Sequence, residues 1–373
     1  MKKYKSAVIG AGFIGIAHIE ALRRLGYVDV VAISDPYIDL ELANKLGFDK
    51  FYTNYKTLIA EHELDFIHIC TPNNLHYEMT KYALEHNINV VLEKPMTYSL
   101  AEAKALVDLL ETKKLTAGLN FHNRMFVAVN HMKNKIKNQE LGEITMVFGN
   151  YLQDWLLLEK DYSWRLINEE SGDTRTVADI GSHILDLVQY VTNLKITEVN
   201  ASFKTIYPKR LHNNKELIID SEDLAIVNFK LENGALGSVN LSQMYAGKKN
   251  DIKLLISGTK ASLEWGFQDL ENLYMGHREK PNEVIFKDPI LMADAIEYMH
   301  YPPGHIEGLP DAFKNNFHQI YQKSLNPNLK TGFSTFKEGY QIMLINDAIK
   351  KSSISNTWEK VKGLDWDLLY FWY

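Results

Sequence analysis

A lysine closes an apolar run, Val90-Val91-Leu92-Glu93-Lys94-Pro95, and an aspartate and a histidine four residues apart, Asp179 and His183, sit in another apolar stretch. A lysine just past a buried strand can touch a cofactor and a substrate together, because ligands of open α/β sheets bind beyond the carboxyl ends of the strands. Residues four apart on a helix share a face, and a carboxylate beside an imidazole orients it and raises its basicity, which suits a proton acceptor near neutral pH. Blander readings stand beside these: a surface lysine, and an Asp–His capping contact. A metal pair would need a third ligand, and no spaced His or Glu companion is evident, so no metal is expected. The third group is Gly10-Ala11-Gly12-Phe13-Ile14-Gly15, a G-x-G-x-x-G run, with Asp35 twenty residues beyond Gly15. Its glycines allow a tight turn, the approach of a pyrophosphate and close helix–strand packing. A carboxylate at Asp35 takes ribose hydroxyls and repels a 2′-phosphate. NAD is therefore expected over NADP, with Asp35 as a helix cap the competing reading.

The elements that must hold these groups follow a β-α alternation from residue 5 to about 120. Strands are expected at Ser6–Ile9, Val30–Ser34, Asp65–Cys70, Val90–Leu92 and Leu115–Leu119. Helices are expected at Ile16–Leu25, from His76 to His86, and at Ala101–Glu111. Unbroken alternation predicts a doubly wound parallel sheet. After Asn120 the pattern changes. A helix over Phe126–Lys137 is followed by alternating stretches at Ile144–Gln153, Thr197–Ile206, Leu224–Leu231, Ala235–Gln243 and Ile252–Ser257, with Glu232-Asn233-Gly234 as a hairpin signal. This predicts an α/β chain of two domains: a Rossmann domain over 1–123, and over 124–373 an α+β domain with a large, mostly antiparallel open sheet. One face of that sheet needs covering, and a homodimer or homotetramer would cover it. Phe336–Lys351 reads as an amphipathic helix, and the aromatic tail Trp366–Tyr373 as a segment that docks on something.

The chain has 373 residues, 46% hydrophobic and 24% charged, which suits a soluble globular protein of two domains. A net charge of −6 without long runs argues against nucleic acid or an anionic membrane as partner. A single cysteine, Cys70, leaves no intrachain disulfide and points to a reducing cytoplasm. The basic start and apolar Ala7–Ile9 could pass for a signal peptide, but the glycines and the helical spacing that follow fit a strand, turn and helix better.

Taken together, Gly10–Gly15, Thr71-Pro72-Asn73 with His76, Glu93-Lys94-Pro95 and Asp179-Ile180-Gly181-Ser182-His183 resemble the glucose–fructose oxidoreductase / inositol dehydrogenase (Gfo/Idh/MocA) family over nearly the whole chain. The resemblance implies a nicotinamide-dependent oxidoreductase acting on a secondary hydroxyl of a sugar, sugar derivative or cyclitol. It implies a cis Lys94–Pro95 bond, Lys94 on the reacting hydroxyl, and His183 as general base with Asp179. Cofactor contacts are implied for Gly10, Gly12, Phe13, Ile14, Gly15, Asp35, Thr71, Pro72, Asn73, His76, Glu93, Lys94, Trp164 and Arg165. Trp164-Arg165, Arg175 and the segment from Gly304-His305 through Asp311-Ala312-Phe313 are similar to a sugar-dehydrogenase branch, the levoglucosan dehydrogenases. Substrate contacts are then implied for Lys94, Gln153, Trp164, Arg175, Asp179, His183 and His305. The competing readings are Trp164 in a core, Arg175 paired with Asp173 or Glu170, and His305 ordering a loop. Where many members carry Gly-Gly before the Asp–His helix, this chain has Ser171-Gly172-Asp173-Thr174, a departure at the pocket rim.

Three functions fit the same residues. A dehydrogenase accumulates NADH with the right polyol. A glycosidase using transient oxidation releases an aglycone without net NADH. A non-catalytic NAD-binding regulator has no need of Lys94, Asp179 and His183 together.

Overall fold

The alternation of the first 120 residues forms as expected. In the computed structural model, which describes residues 3–363, the chain runs β1 (Tyr4–Ile9), α1 (Phe13–Leu25), β2 (Val28–Ser34), α2 (Leu40–Lys45), β3 (Phe51–Tyr52), α3 (Tyr55–Glu61), β4 (Phe66–Ile69), α4 (His76–Glu85), β5 (Asn89–Leu92), α5 (Leu100–Glu111) and β6 (Ala117–Leu119). These strands pair in parallel in the order β6-β5-β4-β1-β2-β3. Fully buried Val8, Ile67, Val90 and Val91 fill the strands, the pattern of a sheet covered on both faces. Helix starts are set by local chemistry. Ser99 and Glu102 form a reciprocal capping box on α5, and α1 stops at Gly26, whose φ of 75° ends the helix in the left-handed region.

Helix α6 (Val127–Lys137) carries the chain into a second unit, with β7 (Ile144–Leu152), the short α7 (Asn168–Ser171), a π turn (Val177–Gly181), α8 (Ser182–Thr192) and β8 (Ile196–Lys204). The hairpin β9 (Lys209–His212) and β10 (Lys215–Ile218) follows. Then come β11 (Leu224–Leu231), β12 (Leu236–Ser242), β13 (Asp251–Gly258), β14 (Ser262–Gly266), β15 (Asp269–Gly276) and β16 (Glu283–Ile285). The strand order is β16-β15-β14-β13-β7-β12-β11-β8, antiparallel except where β7 meets β12. Every residue of α8 is buried. It lies on β7 at Gly149, where a Cβ would come within 2.5 Å of Ile184 Cδ1. Alternating inward residues Val147, Val239, Leu254 and Ile256 complete that core, as period-2 patterning requires.

The chain then returns to the first unit through α9 (Leu309–Leu325) and the two-residue strand β17 (Ser334–Thr335), which pairs antiparallel with β6. Helix α10 (Phe336–Ser355) leads back to the second, where β18 (Glu359–Lys360) extends the large sheet beside β8. The units are therefore discontinuous: the N-terminus to Asn130 with Lys287–Tyr340, and His131–Phe286 with the chain from Gln341 onward. A boundary at 123/124 does not capture this return, because α9 looks amphipathic in sequence whichever unit it packs against. The hairpin and β14–β16 were also not expected: β9, β10 and β16 are three or four residues long, and Gly266, Asn272 and Gly276 interrupt the pattern in β14 and β15. The aromatic tail lies outside the described residues. Among the described residues, no helix is long and apolar enough to cross a membrane.

Candidate active site

The glycine run forms the turn from β1 to α1, and its geometry fits a dinucleotide. Gly10 adopts φ 99°, and a Cβ there would meet Cys70 O at 2.4 Å. A Cβ on Gly15 would sit 1.9 Å from Gly10 O, so the third glycine is what lets α1 approach the strand. Around Gly12 a Cβ would meet nothing within 4 Å, which leaves the helix N-terminus open to a phosphate. Phe13 is exposed and Ile14 half-buried beside it. Asp35 follows the end of β2. Its Oδ2 accepts from Ala11 N at 2.8 Å and its Oδ1 from Tyr37 N at 2.9 Å, which ties the carboxylate to the glycine turn. It caps no helix there; the cap of α2 is Asp39.

Glu93 and Lys94 follow β5, and the Lys94–Pro95 peptide is cis. Lys94 is half-buried. Glu93 is buried and receives Asn120 Nδ2 at 2.6 Å and its neighbour's backbone N at 3.2 Å. His76, expected at the cofactor, is wholly buried. Its Nδ1 lies 2.9 Å from Pro95 O and its Nε2 2.9 Å from Thr71 O. A carbonyl only accepts, so the neutral ring donates to one of these oxygens and faces the other, which places His76 between the Thr71 and Pro95 loops. Of the loop residues it ties, Asn73 is buried while Thr71 and Pro72 are half-buried.

In the second unit, Asp179 lies in the π turn and His183 in the first turn of α8. A regular α-helix was expected; the wider turn is a form that recurs at functional sites. Asp179 is gripped from two sides: Gln243 Nε2 donates to Oδ2 at 2.9 Å, and Arg165 Nε lies 3.2 Å from Oδ1. Arg165, with its guanidinium 4.5 Å from the Trp164 ring, thus serves Asp179 in this structure. Tyr151 on β7 lies 6.1 Å from His183, ring to ring; burial and the Asp179 charge push its phenol pKa up. Glu222 starts the turn by accepting from Arg175 N at 3.1 Å and Val177 N at 2.8 Å.

Three expected substrate contacts sit differently. Arg175 is fully buried and pairs with Asp223, which also binds Arg210, instead of with Asp173 or Glu170. With no exposed atom it is an internal cation of this unit rather than a sugar-binding group. Gln153 is buried and donates to Asn250 Oδ1 at 2.8 Å. His305 is exposed, with its Nδ1 3.3 Å from Pro302 O, and its carbonyl receives Lys287 Nζ at 2.5 Å, an arrangement that orders its loop. Trp164 is half-buried. Gln243, Tyr151 and Glu222 were not found by sequence reasoning. Only Tyr151 carried a signal, as an inward position of an alternating strand.

A cradle for a dinucleotide, a strand-end lysine and a clamped Asp–His turn define an oxidoreductase of the Gfo/Idh/MocA family, and the chain belongs to it. Residues 4–121 match the family's NAD-binding Rossmann domain and residues 129–264 its C-terminal domain. It is an NAD-dependent oxidoreductase. The chain is 25% identical to levoglucosan dehydrogenase of Pseudarthrobacter phenanthrenivorans, over 97% of this chain and 99% of that protein. A solved levoglucosan dehydrogenase in complex with NADH and levoglucosan superposes with a TM-score of 0.89 at 25% identity, covering 97% of this chain and all of that one. An oxidoreductase domain protein from Kribbella flavida gives 0.88 at 26% identity, covering 97% and 100%.

Proposed function

We propose that the protein is a dehydrogenase that oxidises a secondary hydroxyl of a sugar, sugar derivative or cyclitol. The observation that carries this reading is the doubly held Asp179 one turn before His183. Gln243 and Arg165 fix the Asp179 carboxylate on the same turn as His183, a residue type suited to taking a proton near neutral pH. His183 takes the hydroxyl proton, and Lys94 stabilises the oxygen as it gains charge. Bound NAD supplies the hydride acceptor. Asp35 holds the adenosine ribose and disfavours a 2′-phosphate. The solved levoglucosan dehydrogenase supports a sugar as substrate, since it was crystallised with one.

The test is absorbance at 340 nm with NAD and a panel of anhydrosugars, aldoses, glucosides and inositols. One or more should yield NADH, and Lys94→Ala and His183→Gln should each lower kcat by about 10²–10⁴-fold. Aglycone release without net NADH would instead mark transient oxidation.

We further propose that copies of the chain associate through the open face of the large sheet. Its outward residues include Phe148, 49% exposed, with Met146, Ile226, Leu236 and Tyr274 also exposed. Several exposed apolar side chains on one sheet face mark an interface. Phe148→Asp should lower the mass measured by light scattering; a wild-type monomer would refute the proposal.

A further inference from the structure

Behind Glu93 a file of polar side chains runs through the interior of the first unit. His18 on α1, His68 in β4, Tyr321 on α9 and Ser6 in β1 are each 0% exposed. His18 Nε2 lies 2.9 Å from Glu93 Oε1, and His18 Nδ1 lies 2.9 Å from His68 Nδ1. His68 Nε2 is 3.0 Å from the Tyr321 hydroxyl, which is 2.6 Å from Ser6 Oγ. None of these four residues takes part in the chemistry above.

The positions of the protons follow from what each group can donate. Glu93 has three donors around it: His18 and Asn120 on Oε1, and Lys94 N on Oε2. Burial pushes its pKa up, while the His18 and Asn120 hydrogen bonds and the Lys94 charge act to lower it, and three donors aimed at its oxygens leave it a carboxylate. An ionised carboxylate only accepts, so His18 carries its hydrogen on Nε2. Burial holds His68 well below the usual histidine range, so His68 has one N–H. Burial pushes Tyr321 well above its usual value, so it keeps its proton.

Two arrangements remain. In one, Ser6 donates to Tyr321, Tyr321 to His68 Nε2, His68 Nδ1 to His18 Nδ1, and His18 Nε2 to Glu93, so every hydrogen has an acceptor. In the other, His18 is a buried imidazolium, the chain behind it reverses, and the Ser6 hydrogen ends without an acceptor among the described residues. An unmet buried hydroxyl is costly, so the first arrangement is selected. The other groups packed near Glu93 are Cys70, His76 and His122, with Phe313 and Phe317 against His18. Burial raises the Cys70 pKa and lowers those of His76 and His122, the last to about 4. At neutral pH the formal charge facing Glu93 is therefore that of Lys94.

We propose that His18, His68 and Tyr321 are positioning residues: a one-way chain of donated hydrogen bonds that fixes Glu93 as an oriented carboxylate beside Lys94. The catalytic consequence rests on the dehydrogenase reading; the direction of the chain does not.

Long-range ¹H–¹⁵N spectra of histidine-labelled protein without cofactor at pH 7 test the direction. His18 should be protonated on Nε2 alone and His68 on Nδ1 alone. An imidazolium at His18, or an Nε2-protonated His68, overturns the proposal. Tyr321→Phe keeps the stack on Phe66, whose ring is 3.9 Å away. It should shift the His68 Nε2 resonance, because the Tyr321 hydroxyl donates to that nitrogen; an unshifted, protonated His68 Nε2 counts against it. In activity, His18→Leu should lower kcat by about 10–100-fold with little change in polyol KM, the loss expected for a hydrogen bond to a charged group. His18→Gln, whose amide can still donate to Glu93, should recover part of that loss. If folded Leu and Gln variants behave alike, His18 only fills space. If Leu does not fold, the Tyr321→Phe spectra decide. Expected tautomers with no NADH from any polyol would leave the chain standing and remove the dehydrogenase reading.

Discussion

Removing Asp223 puts the stability of the Asp179–His183 turn to a direct test. The Asp223 side chain is 0% exposed and so is that of Arg175, while that of Arg210 is 1% exposed. Asp223 Oδ1 meets both guanidinium groups, and Oδ2 accepts from Ile206 N at 2.6 Å and Tyr207 N at 3.3 Å. Asp223→Ala therefore leaves two buried cations facing each other and two backbone donors without this carboxylate. Burial already pushes the Arg175 pKa down, and the Asp223 charge is what opposes that. Breaking a buried pair from one side costs about 3–5 kcal/mol. The Lys350–Asp173 pair is a control: its side chains are 36% and 69% exposed, and Lys350→Ala should cost about 0–1 kcal/mol. Urea titrations followed by circular dichroism and by tryptophan fluorescence measure both, with the transitions compared probe by probe because two units need not unfold together. Because Arg175 leads directly into the π turn, Asp223→Ala should also lower activity at urea concentrations where wild type is intact. A cost for Asp223→Ala within about 1 kcal/mol of the Lys350→Ala control would refute the reasoning.

Other outcomes follow from the same geometry. Gly15→Ala places a Cβ 1.9 Å from Gly10 O, so α1 must retreat; a stability loss of about 1–3 kcal/mol, with weakened NADH binding by fluorescence, is expected. Asp35→Ala should weaken NADH by about 10–100-fold, the worth of a hydrogen bond to a charged group, and weaken NADPH far less. Glu93 is held below its ordinary 4.5 in the folded chain, so its contribution is full above about pH 4.5 and is lost as pH falls below that. Buried His122, brought from 6.5 to about 4, adds a loss that begins as pH falls below 6.5, since the unfolded chain binds that proton first. Acid titration by circular dichroism should thus show stability falling from about pH 6.5 downward, and His18→Leu should move the acid transition to higher pH.

The sequence by itself determined the dinucleotide half. Glycine spacing, an acidic residue after the second strand and strand–helix alternation are local signals, and local backbone sterics enforce them wherever the chain goes. It also placed Lys94 at a strand end, and Asp179 and His183 on one stretch of helix. Tertiary structure decided what those groups touch. Arg165, Gln243 and Glu222 reach the turn from 14, 64 and 45 residues away in the chain, and nothing in local pattern encodes such pairings. Arg175 looked like a ligand-facing cation until Asp223, 48 residues on, was seen to neutralise it inside the unit. His18 and His68 sit on apolar faces and read as ordinary core positions. Their meaning comes from a hydrogen-bond chain to Glu93 and Tyr321, residues spread over more than 300 positions, which only folding brings into line.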